Sequence, residues 1–270
     1  MTYMPFDYLQ IDSDFFSIVD KESPALFATT KTTAFPATYR AMFGFCAKTN
    51  SLKTAMFDMV ESNNPYAFKA LFRCYCEHYL KFLYLFTRFT REASDAVGTE
   101  YFSYCGAQEA REYAGAIKMA EGLMGTTVRI DIEAVLADMY PLAARLSTSD
   151  LAAASNKFKS RSIIRFLKAE MSGAITAERP FLAQIVPSYA LLSSFVHGGP
   201  MADMDAASYS QPAGLQNCER DAELICLMTA SVFMCTAVAV AREQPTLSHI
   251  APKVKRLMDR FIAMQTEEDT

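Results

Sequence analysis

The chain has 270 residues, of which 51% are hydrophobic, 12% aromatic and 21% charged, and its formal net charge is −4. That balance excludes a disordered polymer and a nucleic-acid coat held by global positive charge, while leaving room for a local basic patch. Only 10 Gly and 11 Pro interrupt runs of Ala, Leu and Met at helical period. The expectation is an all-α protein, a single helical bundle with a Phe-rich core.

Residues 1–34 mix acidic and aromatic side chains and read as an irregular N-terminal arm, either holding a short helix or packing as an arm on the body. Met1 to Asp20 holds no Lys or Arg, which argues against an ordinary signal or transit peptide and for a cytoplasmic location. The bundle domain is expected over 35–266. Its first helix runs from about Pro36 to Glu61. Ser62-Asn63-Asn64-Pro65 marks a restart, with Asn64 as the cap and Pro65 at the first helical position, and the second helix continues to about Ala93. A third extends from about Glu100 to Leu123.

The stretch 126–178 is more polar and reads as an insertion of shorter helices, capped at Asp131 and at Ser149 or Asp150. A helix from near Ala177 meets Pro187, which should kink or restart it, and stops at His197 before Gly198-Gly199-Pro200. Residues 198–216 read as a Gly/Pro/Ser loop, long enough to act as a lid or to contact a protein partner. Helices of about Asn217 to Glu243 and Thr246 to Gln265, then an acidic tail over 267–270, close the chain. Within the first of these, Leu224 to Ala241 is uncharged and could reach across a bilayer. Its Ala, Thr, Ser and Cys content and the lack of a positive-inside bias favour a buried helix, with no membrane.

The seven cysteines (Cys46, Cys74, Cys76, Cys105, Cys218, Cys226, Cys235) form no CxxC pair and read as reduced thiols. There is no glycine-rich phosphate loop, HExxH or GxSxG, and no acidic or His set at metal spacing, so neither metal nor cofactor is expected. His78 and His249 have no evident partner in the sequence.

Three constellations could carry chemistry. Lys69, Arg73, Glu77 and Lys81 follow at spacing four on an otherwise apolar helix. They form either a solvated stripe of ion pairs or an interior site where Glu77 orients Arg73 to grip an anion. Tyr189, Ser193 and His197 also step by four. His197, beside the last carbonyls of its helix, could be a general acid/base with Ser193 and Tyr189 as hydrogen-bond partners, or only a cap. Ser193 lacks the elbow, oxyanion hole and third member of a serine hydrolase. Lys157, Lys159, Arg161, Arg165 and Lys168 have no acid among them and form either a phosphate-binding face or a solvated one. Lys253, Lys255, Arg256 and Arg260 make a second basic cluster.

Two motifs together resemble uncharacterised, all-helical bacterial proteins related to the HEPN (higher eukaryotes and prokaryotes nucleotide-binding) superfamily. Ala70-Leu71-Phe72-Arg73-Cys74-Tyr75-Cys76-Glu77 is similar to that group's early arginine followed four residues later by a glutamate. Tyr189-Ala190-Leu191-Leu192-Ser193-Ser194-Phe195-Val196-His197-Gly198 is similar to its late Tyr, Leu-Ser and His-Gly pattern. The resemblance covers roughly residues 40–240 in layout. It implies a helical bundle, often dimeric, and in many members a metal-independent ribonuclease of toxin–antitoxin or phage-defence systems. The superfamily's catalytic arginine precedes the histidine by four to six residues on the same helix, whereas the stretch holding Ala190, Leu191 and Leu192 has none. Arg73 would have to stabilise the phosphorane from a neighbouring helix, held by Glu77, while His197 moves the proton of a ribose 2′-hydroxyl. The expectation is therefore a homodimer that binds or cleaves RNA. The alternative is a non-catalytic interaction module in which the same Arg, Glu and His form a structural polar network.

Overall fold

A computed structural model describes residues 8–125, 131–170, 176–206 and 212–268. All regular structure among them is helical: α1 (Tyr8–Ala28), α2 (Pro36–Glu61), α3 (Pro65–Glu92), α4 (Ala96–Glu100), α5 (Gly106–Met124), α6 (Ile132–Met139), α7 (Thr148–Asn156), α8 (Ser160–Ala169), α9 (Arg179–His197), α10 (Pro200–Ala206), α11 (Pro212–Ala241) and α12 (Ile250–Glu268). The protein is an all-α helical bundle, as its periodicity indicates.

Two helices organise it. α3 packs against α2, α8, α9 and α11, while α11 packs against α1, α2, α3 and α12. α3 starts where the sequence places it, with Asn64 Oδ1 accepting from the Ala67 amide at 3.1 Å and Pro65 in the first turn. Phe68, Phe72, Phe82, Leu83 and Phe86 are then buried along its length. Each such side chain contributes about 1.5–3 kcal/mol by leaving water. α2 draws its cap from elsewhere: both Asp95 oxygens accept from its first amides, those of Ala37 and Thr38, at 3.0 and 2.7 Å. A Cβ at Gly98 would stand 2.2 Å from the Thr38 amide nitrogen, so only glycine allows α4 to lie this close to α2.

Three expectations change. The segment expected as an irregular arm holds a 21-residue helix over its described part, α1, which lays Ile11, Phe15 and Leu26 into the main core. Those positions keep helical spacing, and Glu22, buried on the same stripe, is met there by Lys253 and His249. The expected loop 198–216 contains α10, whose Ala202 amide donates to Ser194 Oγ at 3.0 Å, and α11 starts at Pro212. Residues 207–211 lie outside the described residues. Pro187 neither breaks nor restarts α9, which runs through it as one helix.

The stretch Asn217–Ala241 is long and apolar enough to cross a membrane, and its most apolar 18-residue window has a mean hydropathy of 2.3. Inside the bundle, however, 78% of its most apolar window is buried. The polar middle section divides between two cores. α6 and α7 join α5 around a small cluster of Ala107, Leu136, Ala143 and Leu151, whereas Phe158, Ile163 and Leu167 seat α8 on the main core.

Candidate functional site

Four of the five residues expected to share a catalytic site meet between α3 and α9. The Arg73 guanidinium lies 3.5 Å from the Tyr189 ring centroid, a close cation–π stack. Its Nε donates to Ser193 Oγ at 3.0 Å and its Nη1 to Glu77 Oε2 at 3.1 Å. Glu77 Oε1 in turn takes Lys81 at 2.9 Å. Burial alone would raise the Glu77 carboxyl, but the bonds and charges of Lys81 and Arg73 outweigh it and hold the group below the usual carboxylate range. Ser193 passes its own proton to the Tyr189 carbonyl at 2.9 Å, one turn back.

This arrangement fixes α9 on α3. One face of Arg73 is covered by Tyr189, two of its nitrogens are bonded, and the residue is only 8% exposed. His197 does not join it. Eight residues beyond Tyr189 the helix has turned by about 80°, and His197 stands exposed in the last turn, just before Gly198 takes a left-handed φ of 63°. The structure thus brings together Arg73, Glu77, Ser193 and Tyr189 and leaves out the acid/base candidate.

Glu77, Lys81 and Tyr189 also border a groove of 580 Å³, closed on its other sides by Cys105 and Glu109 of the α5 region and by Lys159 and Arg161. Cys105 ends a single π-helical turn, Tyr101–Cys105, that joins α4 to α5. Beyond the groove, Arg161, Arg165 and Lys168 share the outer face of α8, with Lys157 and Lys159 at its entry. All five cations of this run are exposed, and among the described residues none has an ion pair or hydrogen bond. Phe158 and Phe166 are not free platforms for bases, since both pack edge-on against Tyr84. The second basic cluster differs: Lys253 meets Glu22, Lys255 meets Asp259 and Arg260 meets Asp14.

Several polar groups escaped the sequence reading, most of them because their partners lie far along the chain, and His78 because its partner is a backbone carbonyl. Glu178, at the entry to α9, is buried and accepts from Tyr79 and from Ser231 at 2.7 Å. Burial raises its carboxyl against those two bonds. Lys53 is 2% exposed and paired with Asp12. His78 bonds the Cys74 carbonyl at 2.8 Å, and His249 reaches Glu22 at 3.2 Å. All seven cysteines are free, and among the described residues no group of three or more His, Cys, Asp or Glu could hold a metal ion. Set against known proteins, the chain matches no family model, no curated protein and no solved structure.

Proposed function

We propose that this protein binds RNA through the basic face of α8 and does not cut it. One observation carries the reading: five exposed cations, Lys157, Lys159, Arg161, Arg165 and Lys168, lie on one short segment, and among the described residues none of their side chains is held in an ion pair. In a chain of net charge −4 this is a local field suited to a phosphate backbone, whose binding is driven by counterion release. The neighbouring groove mixes Lys81, Lys159 and Arg161 with Glu77 and Glu109, so phosphates are better served by the outer face than by its floor. Against cleavage stands the Arg73 cluster. Its guanidinium is committed to Tyr189, Ser193 and Glu77, and His197 is outside that contact set. A HEPN-like relationship is compatible with this reading as a bundle that keeps the motif residues for helix docking.

The test is fluorescence anisotropy with a labelled single-stranded RNA across a salt series. For single strands the slope of log affinity against log salt is about −0.7 per phosphate neutralised, so Arg161→Ala, Arg165→Ala and Lys168→Ala together should flatten it by about 2. Total RNA incubated with the protein in EDTA should stay intact. Cleavage by the wild type that disappears in His197→Ala overturns the non-catalytic reading, and an unchanged salt slope overturns the α8 interface.

A second reading, a protein-interaction module, has its own observation. The outer side of α5 carries Tyr113, Met119, Leu123 and Met124, each at least 70% exposed. Exposed apolar side chains gathered on one helix are the usual mark of a partner surface, and a second copy of this chain is the partner we assign to it. Leu123→Asp should then lower the sedimentation mass from dimer to monomer, and a wild type that is already monomeric removes this reading.

A further inference from the structure

A second groove, of 440 Å³, opens on the opposite flank of α9, between α3, α10 and α11, and shares no residue with the one beside α8. Phe72, Leu192 and Phe195 form its buried wall, and Met201 and Met204 of α10 stand exposed at its edge. Three charged side chains reach it: Lys69, Asp205 and Asp221. Lys69 is already ion-paired with Asp205, and its Nζ lies 5.3 Å from the Phe195 ring centroid. Asp221, from α11, is partly buried and has neither a hydrogen bond nor an ion pair among the described residues. The groove therefore presents one carboxylate without a direct partner against an apolar wall, with Lys69 and Arg220 acting on it only through their charge.

We propose that this groove binds a small organic cation, a protonated amine attached to an apolar body, with Asp221 as the counter-ion. Each competing ligand class meets a physical objection. A phosphate or carboxylate would face two acids with one cation already taken. A neutral apolar ligand would strip the remaining water from Asp221 and leave its charge without a partner, which is costly. A hard metal ion needs several oxygen ligands, and of the two carboxylates on this groove Asp205 is already held by Lys69, which leaves Asp221 as the one acid to meet it. An ammonium group on a hydrocarbon satisfies both halves of the site: the charge pairs with Asp221 while the body replaces water over Phe72, Leu192 and Phe195. The volume lies within the range of small-ligand clefts, and flexible methionines at an opening adapt to apolar bodies of different shape.

The energetic state of Asp221 agrees with this reading. Burial pushes its carboxyl up to about 6, opposed by Lys69 of α3 and by the adjacent Arg220, with Asp205 of α10 on the same groove. The folded protein therefore holds an ionised group at a cost above that pH. A carboxylate kept at such a cost, without a partner, is a common property of binding sites.

The experiment uses n-octylammonium, n-octanol and n-octanoate as probes, titrated calorimetrically into the full-length protein at pH 8. Octylammonium should bind at least about tenfold more tightly than octanol, and octanoate should not bind. Asp221→Asn should erase the preference for the ammonium and leave octanol binding unchanged. The same variant should melt at or above the wild-type temperature, because it relieves a buried charge, and this keeps lost binding distinct from lost folding. Equal affinity for octylammonium and octanol overturns the proposal. So does an ammonium preference that survives in Asp221→Asn, a failure of octylammonium to bind, or an Asp221→Asn melting temperature well below the wild type.

Discussion

The basic clusters of α12 and α8 look alike in sequence, each a set of Lys and Arg at helical spacing, and the fold treats them in opposite ways. On α12, Lys253 and Arg260 lie opposite α1, which supplies Glu22 and Asp14, while Lys255 pairs one turn along with Asp259. On α8, Ile163 and Leu167 face the core, and Arg161, Arg165 and Lys168 face outward with no ion pair to any described residue. A run of cations thus acquires meaning from what stands across from it. Where another helix brings acids, the charges dock that helix; where no partner lies across, the field is left available to a polyanion.

The paired end of this comparison breaks most sharply in the core. Lys53 is the most buried of the cations paired to α1, held by Asp12 and flanked by the rings of Phe15 and Phe57 at 6.0 and 5.6 Å. Asp12→Ala strands that ammonium in a low-dielectric site, where removing one partner of a buried pair costs about 3–5 kcal/mol. Chemical denaturation should show a loss at the lower end of that range, since Asp12 itself is 25% exposed. A loss below about 1 kcal/mol would show that the pair does not hold α1 to α2.

A smaller effect is expected at Glu22, which receives Lys253 at 2.5 Å and His249 at 3.2 Å. The bond from Lys253, with the contribution of His249, outweighs burial and holds this carboxyl below its usual value of 4.5. A group depressed in the folded state contributes stability that is present above the unfolded value and is lost as the pH falls through the folded one. Glu22→Gln should therefore cost about 1–2 kcal/mol at neutral pH. The melting-temperature difference from wild type should close as the pH falls below about 4.5. A difference that stays constant down to strong acid would mean that the substitution acts through packing and not through charge.

Local signals were legible from the chain itself, and cross-chain pairings were not. Asn64 and Pro65 announce α3, Gly198 ends α9, and the uncharged run of α11, rich in Ala, Thr, Ser and Cys, favours a buried helix, because each of these depends on neighbours within a few residues. The stripe of Arg73, Glu77 and Lys81 was equally visible, and so were Tyr189 and Ser193 at one spacing. That Arg73 stacks on Tyr189 depends on how α9 lies across α3, which no local pattern states. His197 shows the limit of spacing arguments: a step of four keeps two successive residues on one face and rotates the third away. Asp221, Glu178 and Lys53 left no signal, since each stands among other polar residues and reads the same whether it faces solvent, a partner or a groove. α1 was obscured by its acids, one of which, Glu22, lies buried within the apolar stripe because Lys253 and His249, far along the chain, meet it there.

The smallest effect on stability is expected where the effect on binding is largest. The side chains of Arg161, Arg165 and Lys168 are exposed and unpaired among the described residues, so replacing all three by Ala removes no contact that holds α8 in place. Surface substitutions of this kind usually stay within about 0.5 kcal/mol each, and Ala is the strongest helix former. Relief of mutual repulsion between cations one turn apart adds a small term of the opposite sign. Melting of the triple variant should accordingly stay close to wild type while its RNA affinity falls and its salt slope flattens. The matching triple Lys253→Ala, Lys255→Ala and Arg260→Ala supplies the contrast. It should melt earlier, because it removes Lys253 from Glu22 and Arg260 from Asp14, and it should leave the salt slope as it was. If the two triples instead lower RNA affinity equally, binding follows total charge, and pairing does not distinguish the two faces.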